Sequence, residues 1–423
     1  MDIKKILKKS ISTSILSKAF SFWVNIYVVS LTAALLSYKD FASFLLLSSI
    51  GGWFSILGAG ISPLISSTIV KDDNDQKRNA VFNTSFAFLF AGLFLLSCCF
   101  FVFYQAGYFS NINELSNHKA VTVTILLFGL TLLFSLGDSI RIGYHQTHIL
   151  NICFSITSVI SIVFFYILKN TNESRLYIIM IALLLPGVIV KCANLLSSLK
   201  KLKWSQYWYS FDKSLIVEII DTSCSFFLVQ AAGLLTMQLL LFILSYNNEV
   251  ELLSEFGILF RFFALSGSFL TMLSVPLWPI LMEKIKKNEL HFTNVVIKKT
   301  QMTFLAYGVF LLILILLGGQ YFFYTWTKGK VTFSNYELIL IAIRFLVICY
   351  AQSQILVLRA FEKYEIMGRL LFIEAIVVLA ITMIIIRGDM LSLSLLISIH
   401  IIVAMIICFI FNNKINSFLK LNY

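Results

Sequence analysis

Apolar residues in this chain fall in long unbroken blocks separated by short polar stretches, with no period-two alternation. Each block is roughly 20 residues or longer, the length an α-helix needs to cross the hydrocarbon core of a bilayer. A membrane β-barrel would instead show segments of about ten residues with alternating polarity. The pattern predicts spans near 12–36, 41–66, 81–104, 120–142, 149–168, 176–199, 215–245, 254–282, 300–326, 335–360, 366–386 and 389–412. The first block follows Lys4, Lys5, Lys8 and Lys9, as in a signal peptide. It is too long for one and eleven more blocks follow, so it reads as a retained first helix.

Composition agrees with the pattern. Of 423 residues, 59% are apolar and 13% charged, whereas soluble domains carry about 25% charged residues. That excludes a soluble enzyme, a disordered chain and a disulfide scaffold. The net charge of +12 does not mark a nucleic-acid binder, because the basic residues gather at helix ends. With the N-terminus inside, the inner segments hold Lys71, Lys77, Arg78, Arg141, Lys200, Lys201, Lys203, Lys284, Lys298, Arg359, Lys363 and others. The outer loops hold Lys39, Lys119, Lys169, Arg175, Lys328, Lys330 and Arg387, a bias of about three to one that places both termini in the cytoplasm. The 7 cysteines all lie in apolar blocks, and neither they nor His145 and His148 have the spacing or companions of a metal site. No Walker-type phosphate loop is present, so the chain alone is no ATP-driven pump.

Two halves are legible. Gly51, Leu57 and Pro63 align with Gly267, Leu273 and Pro279, and Gly143-Tyr144 with Ala360-Phe361. The expected organisation is a six-helix bundle over 1–199, an amphipathic linker over 200–214 and a second six-helix bundle over 215–423. The linker carries Trp204, Tyr207, Trp208 and Tyr209 among lysines, as a segment lying along the inner leaflet would. Repeats of this kind typify secondary transporters with a central site.

Ionisable groups at membrane depth cost at least about 2.5–3.5 kcal/mol and usually face a polar cavity or a partner. Asp138, Lys191, Glu218 and Asp221 lie close enough to helix ends to snorkel. Arg261, Arg344, Glu374 and His400 are deeper. Ser14, Lys18, Ser21, Asn25 and Thr32 share one face of the first helix, and Gly257, Arg261, Ala264, Ser268 and Thr271 one face of the eighth. A related stripe in the second helix, Ser48, Gly52, Ser55, Ala59 and Ser62, reads as close helix packing. Lys18, Asn25, Arg261, Ser268 and Arg344 are the expected lining of a wet, cationic lumen suited to an anionic ligand. Glu374, Asp221 and His400 are the candidates for coupling to an ion gradient; Glu374 equally fits a static partner of Arg344, and His400 a packing residue. Pro186, Pro276 and Pro279 are candidate kinks in the sixth and eighth helices, though breaking a helix near its end suffices for Pro279.

The run Phe256-Gly257-Ile258-Leu259-Phe260-Arg261 with Val275-Pro276-Leu277-Trp278-Pro279 resembles the eighth-helix pattern of O-antigen (Wzx-type) polysaccharide flippases. These belong to the multidrug/oligosaccharidyl-lipid/polysaccharide (MOP) exporter superfamily. The stretch Asp138-Ser139-Ile140-Arg141-Ile142-Gly143-Tyr144-His145-Gln146 is similar to the same family's short turn before the fifth span. The resemblance implies a V-shaped, MATE-like transporter in the bacterial inner membrane. It would move an undecaprenyl-diphosphate-linked oligosaccharide by alternating access, without a bound cofactor, with H+ or Na+ coupling. Membrane lipids and other polysaccharide-assembly proteins are the implied partners. The competing expectations are a membrane polysaccharide polymerase or ligase, and a multidrug exporter of the same superfamily.

Overall fold

The computed structural model describes residues 3–58, 61–106, 115–211, 216, 227–287, 289–361, 363–388 and 391–421, and every regular element among them is helical. In chain order, α1 is Ile3–Leu35, α2 Tyr38–Gly58, α3 Ile61–Lys71, α4 Asp75–Gln105, α5 Leu115–Phe134, α6 Leu136–Gly143, α7 Thr147–Asn170 and α8 Leu176–Lys201. A single turn, α9, follows at Trp204–Tyr207. The second half contains α10 at Phe227–Tyr246, α11 at Val250–Lys286, α12 at Leu290–Trp326, α13 at Asn335–Ala360, α14 at Tyr364–Arg387 and α15 at Leu393–Leu421. Twelve of the described helices or helix pairs are long and apolar enough to cross a membrane. Most ends fall within a few residues of those predicted; several helices run longer, the expected second span of 41–66 is divided into α2, ending at Gly58, and α3, starting at Ile61, and the start of the seventh lies outside the described residues.

Local chemistry sets the helix ends. Asn74 caps α4, its side chain accepting from the backbone N–H groups of Gln76 and Lys77. Ser334 and Glu337 form a capping box at the start of α13, each side chain satisfying the other's backbone N–H. Neither Pro276 nor Pro279 ends its helix, since α11 continues through both to Lys286. Pro186 likewise sits inside a continuous α8. Within α10, residues Leu234–Leu239 wind as a π-helix, a widening that often marks a functional segment.

The chain divides into two compact units. The first comprises Met1–Gln230 and Leu241–Leu253, the second Ala231–Leu240 and Ser254–Tyr423. The seventh span, α10, thus contributes to both. In the first unit α5 packs on α8, α1 on α7 and α3 on α6; in the second, α13 packs on both α12 and α15. Close approach is achieved with glycine where backbones nearly touch: a Cβ on Gly137 would lie 2.7 Å from Leu195 Cα. The core of the second unit is aromatic, with Leu270, Phe304, Phe345 and Cys349 fully buried against Phe263, Tyr307 and Leu311. Large apolar side chains such as Phe90, Phe94, Leu317 and Ile384 are exposed on the outer helices, which suits a chain whose solvent there is lipid.

Candidate functional site

In the first unit α1 has two open sides of opposite character. Leu16 and Trp23, seven residues apart, are 74% and 68% exposed. Lys18 and Asn25 are also seven apart and lie about half a turn around the helix from them; Lys18 is half-buried and Asn25 exposed. The apolar side fits acyl chains; the side with an ammonium and a carboxamide does not. The flank between them docks on α7, where Ser17 donates to the Asn151 carbonyl at 2.9 Å and Ser21 meets the Ser158 hydroxyl at 3.1 Å. Ser21 therefore belongs to a helix contact, and Thr32 is fully buried, bonded to the Val28 carbonyl. The side chain of Ser14 lies outside the described residues.

The second helix is buried along Phe41–Leu47 and opens towards its C-terminal half. Between Phe41 and Gly58, Ser55 is the exposed residue, with Ser48 and Gly52 half-buried on the same side. The stripe expected to serve close packing is thus the open side of α2; the side that does pack tightly carries Gly51, against the Phe128 ring. In the second unit α11 repeats this design with a charge added. Ala264 and Thr271 are exposed, Arg261 and Ser268 half-buried on the same line, while Ile258, Leu259, Phe262, Ser266 and Leu270 opposite are buried.

Arg344, His400 and Glu374 do not share that open side. Arg344 is 6% and His400 2% exposed, on facing surfaces of α13 and α15. Arg344 donates from Nη1 to the His400 carbonyl at 3.1 Å, while among the described residues its Nε and both His400 ring nitrogens meet no hydrogen-bond partner. The His400 ring lies 5.9 Å from that of Phe256. The space these groups enclose with Met237, Leu259, Phe260, Phe263 and Ile397 amounts to about 10 Å³, room for one water molecule and far short of the hundreds of cubic ångströms a ligand pocket offers. Glu374 is half-buried on the same side of α14 as the buried Met367 and Val378. The expectation that Arg261 and Arg344 face one cavity therefore divides: Arg261 sits on the open stripe, Arg344 in the aromatic interior. Asp221, with Glu218, lies outside the described residues.

Sequence reasoning missed a polar network at the Lys/Arg-rich end of the first unit. Arg141 is 8% exposed and donates from Nε to Asn194 Oδ1 (3.2 Å), from Nη1 to Gln146 Oε1 (2.6 Å) and from Nη2 to Ser197 Oγ (2.6 Å). Asn194 in turn donates to Asp138 Oδ1 at 2.7 Å, and Lys191 pairs with Asp138 Oδ2 at 3.6 Å. Asp138 and Lys191 are thus partners of each other and not independent snorkelling groups, and Arg141, counted as a loop charge, is a buried clamp between α6 and α8. The signal available in the sequence was the spacing of Lys191, Asn194 and Ser197 at i, i+3 and i+6, which puts them on one side of α8.

No family profile matches the chain. It is similar to the "Putative O-antigen export protein" of Yersinia pseudotuberculosis, 21% identical over 308 residues, which is 70% of this chain and 69% of that one. Among solved structures, an inward-facing multidrug-resistance MATE-family transporter of the MOP superfamily superposes with a TM-score of 0.75 at 12% identity, covering 94% of each chain. A MOP-superfamily transporter from Pyrococcus furiosus, described as having a binding pocket of reversed polarity, matches with a TM-score of 0.67 at 14% identity over 100% of this chain and 97% of that one. A Vibrio cholerae MATE transporter, VcmN, gives 0.67 at 12% identity, covering 99% and 98%. The expected fold is borne out: this chain has the twelve-helix fold of the MOP transporters, and in sequence it resembles an O-antigen exporter.

Proposed function

We propose that the chain is a flippase that moves an undecaprenyl-diphosphate-linked oligosaccharide, an O-antigen or related repeat unit, from the inner to the outer leaflet of the bacterial plasma membrane. The observation that carries this reading is the pair of open polar stripes. Lys18 and Asn25 on α1 and Arg261 and Ser268 on α11 are presented on sides of otherwise enclosed or lipid-facing helices where the chemistry does not suit acyl chains. A bare ion entering a low-dielectric layer costs tens of kcal/mol, and a wetted stripe that carries an ammonium or a guanidinium group lowers that cost for a diphosphate. Arg261 grips phosphate oxygens through a fork of N–H donors, while Lys18 offers a movable point charge. The similarity to the Yersinia export protein supports the substrate class.

Both termini are cytoplasmic in this reading, as the distribution of Lys and Arg requires. Resetting draws on an ion gradient, and Glu374, on the buried side of α14, is the group we assign to that exchange. The prevalence of cations among the deep groups favours an anionic cargo over the cationic drugs that carboxylate and aromatic pockets take.

The test is complementation of a strain lacking the gene. Arg261→Ala and Lys18→Ala should each lower surface glycan with protein level unchanged, and Lys18→Arg should restore it. Full surface glycan from both alanine variants at normal protein level would overturn the assignment of the cationic stripes.

A further inference from the structure

The segment joining the halves is held more firmly than a linker needs to be. Asp75, Asn79 and Asn83 lie one turn apart along α4, and each captures part of it. The Asp75 carboxylate pairs with Lys203 Nζ at 2.7 Å, raising the pKa of that lysine through the hydrogen bond. Asn79 Nδ2 donates to the Leu202 carbonyl at 2.8 Å. The Asn83 amide nitrogen reaches the carbonyls of Tyr207, Trp208 and Ser210 at 3.1, 3.1 and 2.7 Å, and its Oδ1 accepts from Trp204 Nε1 at 2.8 Å. Lys203 takes a left-handed backbone (φ 55°), which turns the chain sharply off the end of α8.

With the carbonyls of Leu202, Tyr207, Trp208 and Ser210 and the Trp204 indole N–H engaged inward, the segment turns its remaining aromatic surface outward. Trp208 is 66% and Tyr209 65% exposed, and Phe211 is exposed beside them. In water such a cluster would be unfavourable; at the border of a bilayer, amphipathic rings settle at headgroup depth. Lys200 and Lys201 are exposed on the last turn of α8 just before it. Lys201 Nζ sits 5.3 Å over the Tyr144 ring, which also receives Arg78 at 5.8 Å. Lys203 is neutralised by Asp75, so the charge available to a ligand at this edge is that of Lys200 and Lys201.

We propose that this platform, Lys200 and Lys201 with Trp204, Trp208 and Tyr209, is a binding site for the headgroup of an anionic glycerophospholipid. The rings enter the interface and the two ammonium groups meet the phosphate, fixing the linker to the leaflet while the units it joins work. The partner is identified by charge and by depth: two cations of worth at a surface, beside rings that prefer the headgroup layer. The inference does not depend on what the protein transports.

The test uses the full-length protein reconstituted in phosphatidylcholine vesicles that contain the same fraction of either brominated phosphatidylglycerol or brominated phosphatidylcholine, with bromines near the headgroup end of the acyl chains. The difference in tryptophan quenching between the parent and Trp208→Phe isolates the signal of Trp208. Trp208 should be quenched more strongly by phosphatidylglycerol, with a preference of about fivefold per lysine, weakened by added salt. The preference should disappear in Lys200→Gln/Lys201→Gln and persist in Lys169→Gln, a control at the other end of the same unit. Equal quenching by the two lipids in the parent protein, or a preference that survives in the double glutamine variant, overturns the proposal; both readouts are binding and leave the transport reading untouched.

Discussion

The two units close their helix ends in opposite ways with matched positions. In the register that places Gly143-Tyr144 on Ala360-Phe361, the network residues Asp138, Arg141, Lys191 and Asn194 fall on Ile355, Leu358, Cys408 and Phe411. All four of the latter are buried, on the pair α13 and α15 that corresponds to α6 and α8 and packs likewise. One bundle holds its end with charged groups that must find each other; the other puts apolar side chains at the matched positions, beside a buried amide, Gln354, whose Nε2 donates to the Cys408 carbonyl at 3.0 Å. The buried cation of the second unit, Arg344, is lodged deeper, among aromatic rings, with a backbone carbonyl as its hydrogen-bond acceptor. Matched positions in the two halves of the sequence thus need not have matched interiors. Paired charges contribute specificity of register more than net stability, whereas packed rings contribute area.

That comparison can be broken at Arg141. Arg141→Leu alone leaves Asn194 Oδ1, Gln146 Oε1 and Ser197 Oγ without their donor and should cost about 2–4 kcal/mol, seen as a lower thermal midpoint in detergent. Arg141→Lys should recover little, because one ammonium cannot reach three acceptors set in a fork. Exchanging all four residues for those of the second unit (Asp138→Ile, Arg141→Leu, Lys191→Cys, Asn194→Phe) should cost less than the single change, since no charge is left unpaired. A quadruple variant less stable than Arg141→Leu would show that the two ends are not interchangeable solutions.

The glycines sharpen it further. An alanine at Gly137 would press its Cβ on the backbone of Leu195, which cannot swing aside, for a cost of about 1–3 kcal/mol. Gly51 and Gly267 are matched in the repeat, yet a Cβ at Gly51 meets the Phe128 ring and one at Gly267 meets nothing within 4 Å. Gly51→Ala should therefore lower the thermal midpoint and Gly267→Ala leave it within about 0.5 kcal/mol.

Smaller still is the linker. Asn83→Ala removes one donor and one acceptor from the segment after α8 and should cost about 1 kcal/mol, with Trp204 fluorescence shifting as its indole loses Asn83 Oδ1. The Lys203–Asp75 pair is solvent-exposed, and its contribution is present below the ordinary lysine pKa and lost as pH rises through the raised value. Trp204 fluorescence should accordingly be flat from neutral pH until the alkaline range.

The spans were legible because membrane solvent imposes a length rule on every helix. Thr271, picked by helical spacing, is exposed on α11, whereas Ser55, read as part of a packing stripe, is exposed on α2. Spacing does not say which side of a stripe a neighbour occupies, so it groups Ser21 and Thr32 with Asn25 although Ser21 meets Ser158 on α7 and Thr32 is buried, bonded to the Val28 carbonyl of its own helix. Depth along a helix likewise did not separate Arg261 from Arg344, because burial depends on which helices pack around a position. The Arg141 network was invisible for a related reason: its members are distant in sequence and meet only when α6 lies on α8.

The central claim is that Lys18, Asn25, Arg261 and Ser268 are wetted. Single cysteines at Leu16, Lys18, Trp23, Asn25, Ala264 and Ser268, in a background with the native cysteines replaced, can be probed with a membrane-impermeant maleimide in permeabilised vesicles. Labelling at 18, 25, 264 and 268 with protection at 16 and 23 is the expected result. Protection at 18, 25, 264 and 268 alike would place these stripes against lipid or packed helix and contradict the account.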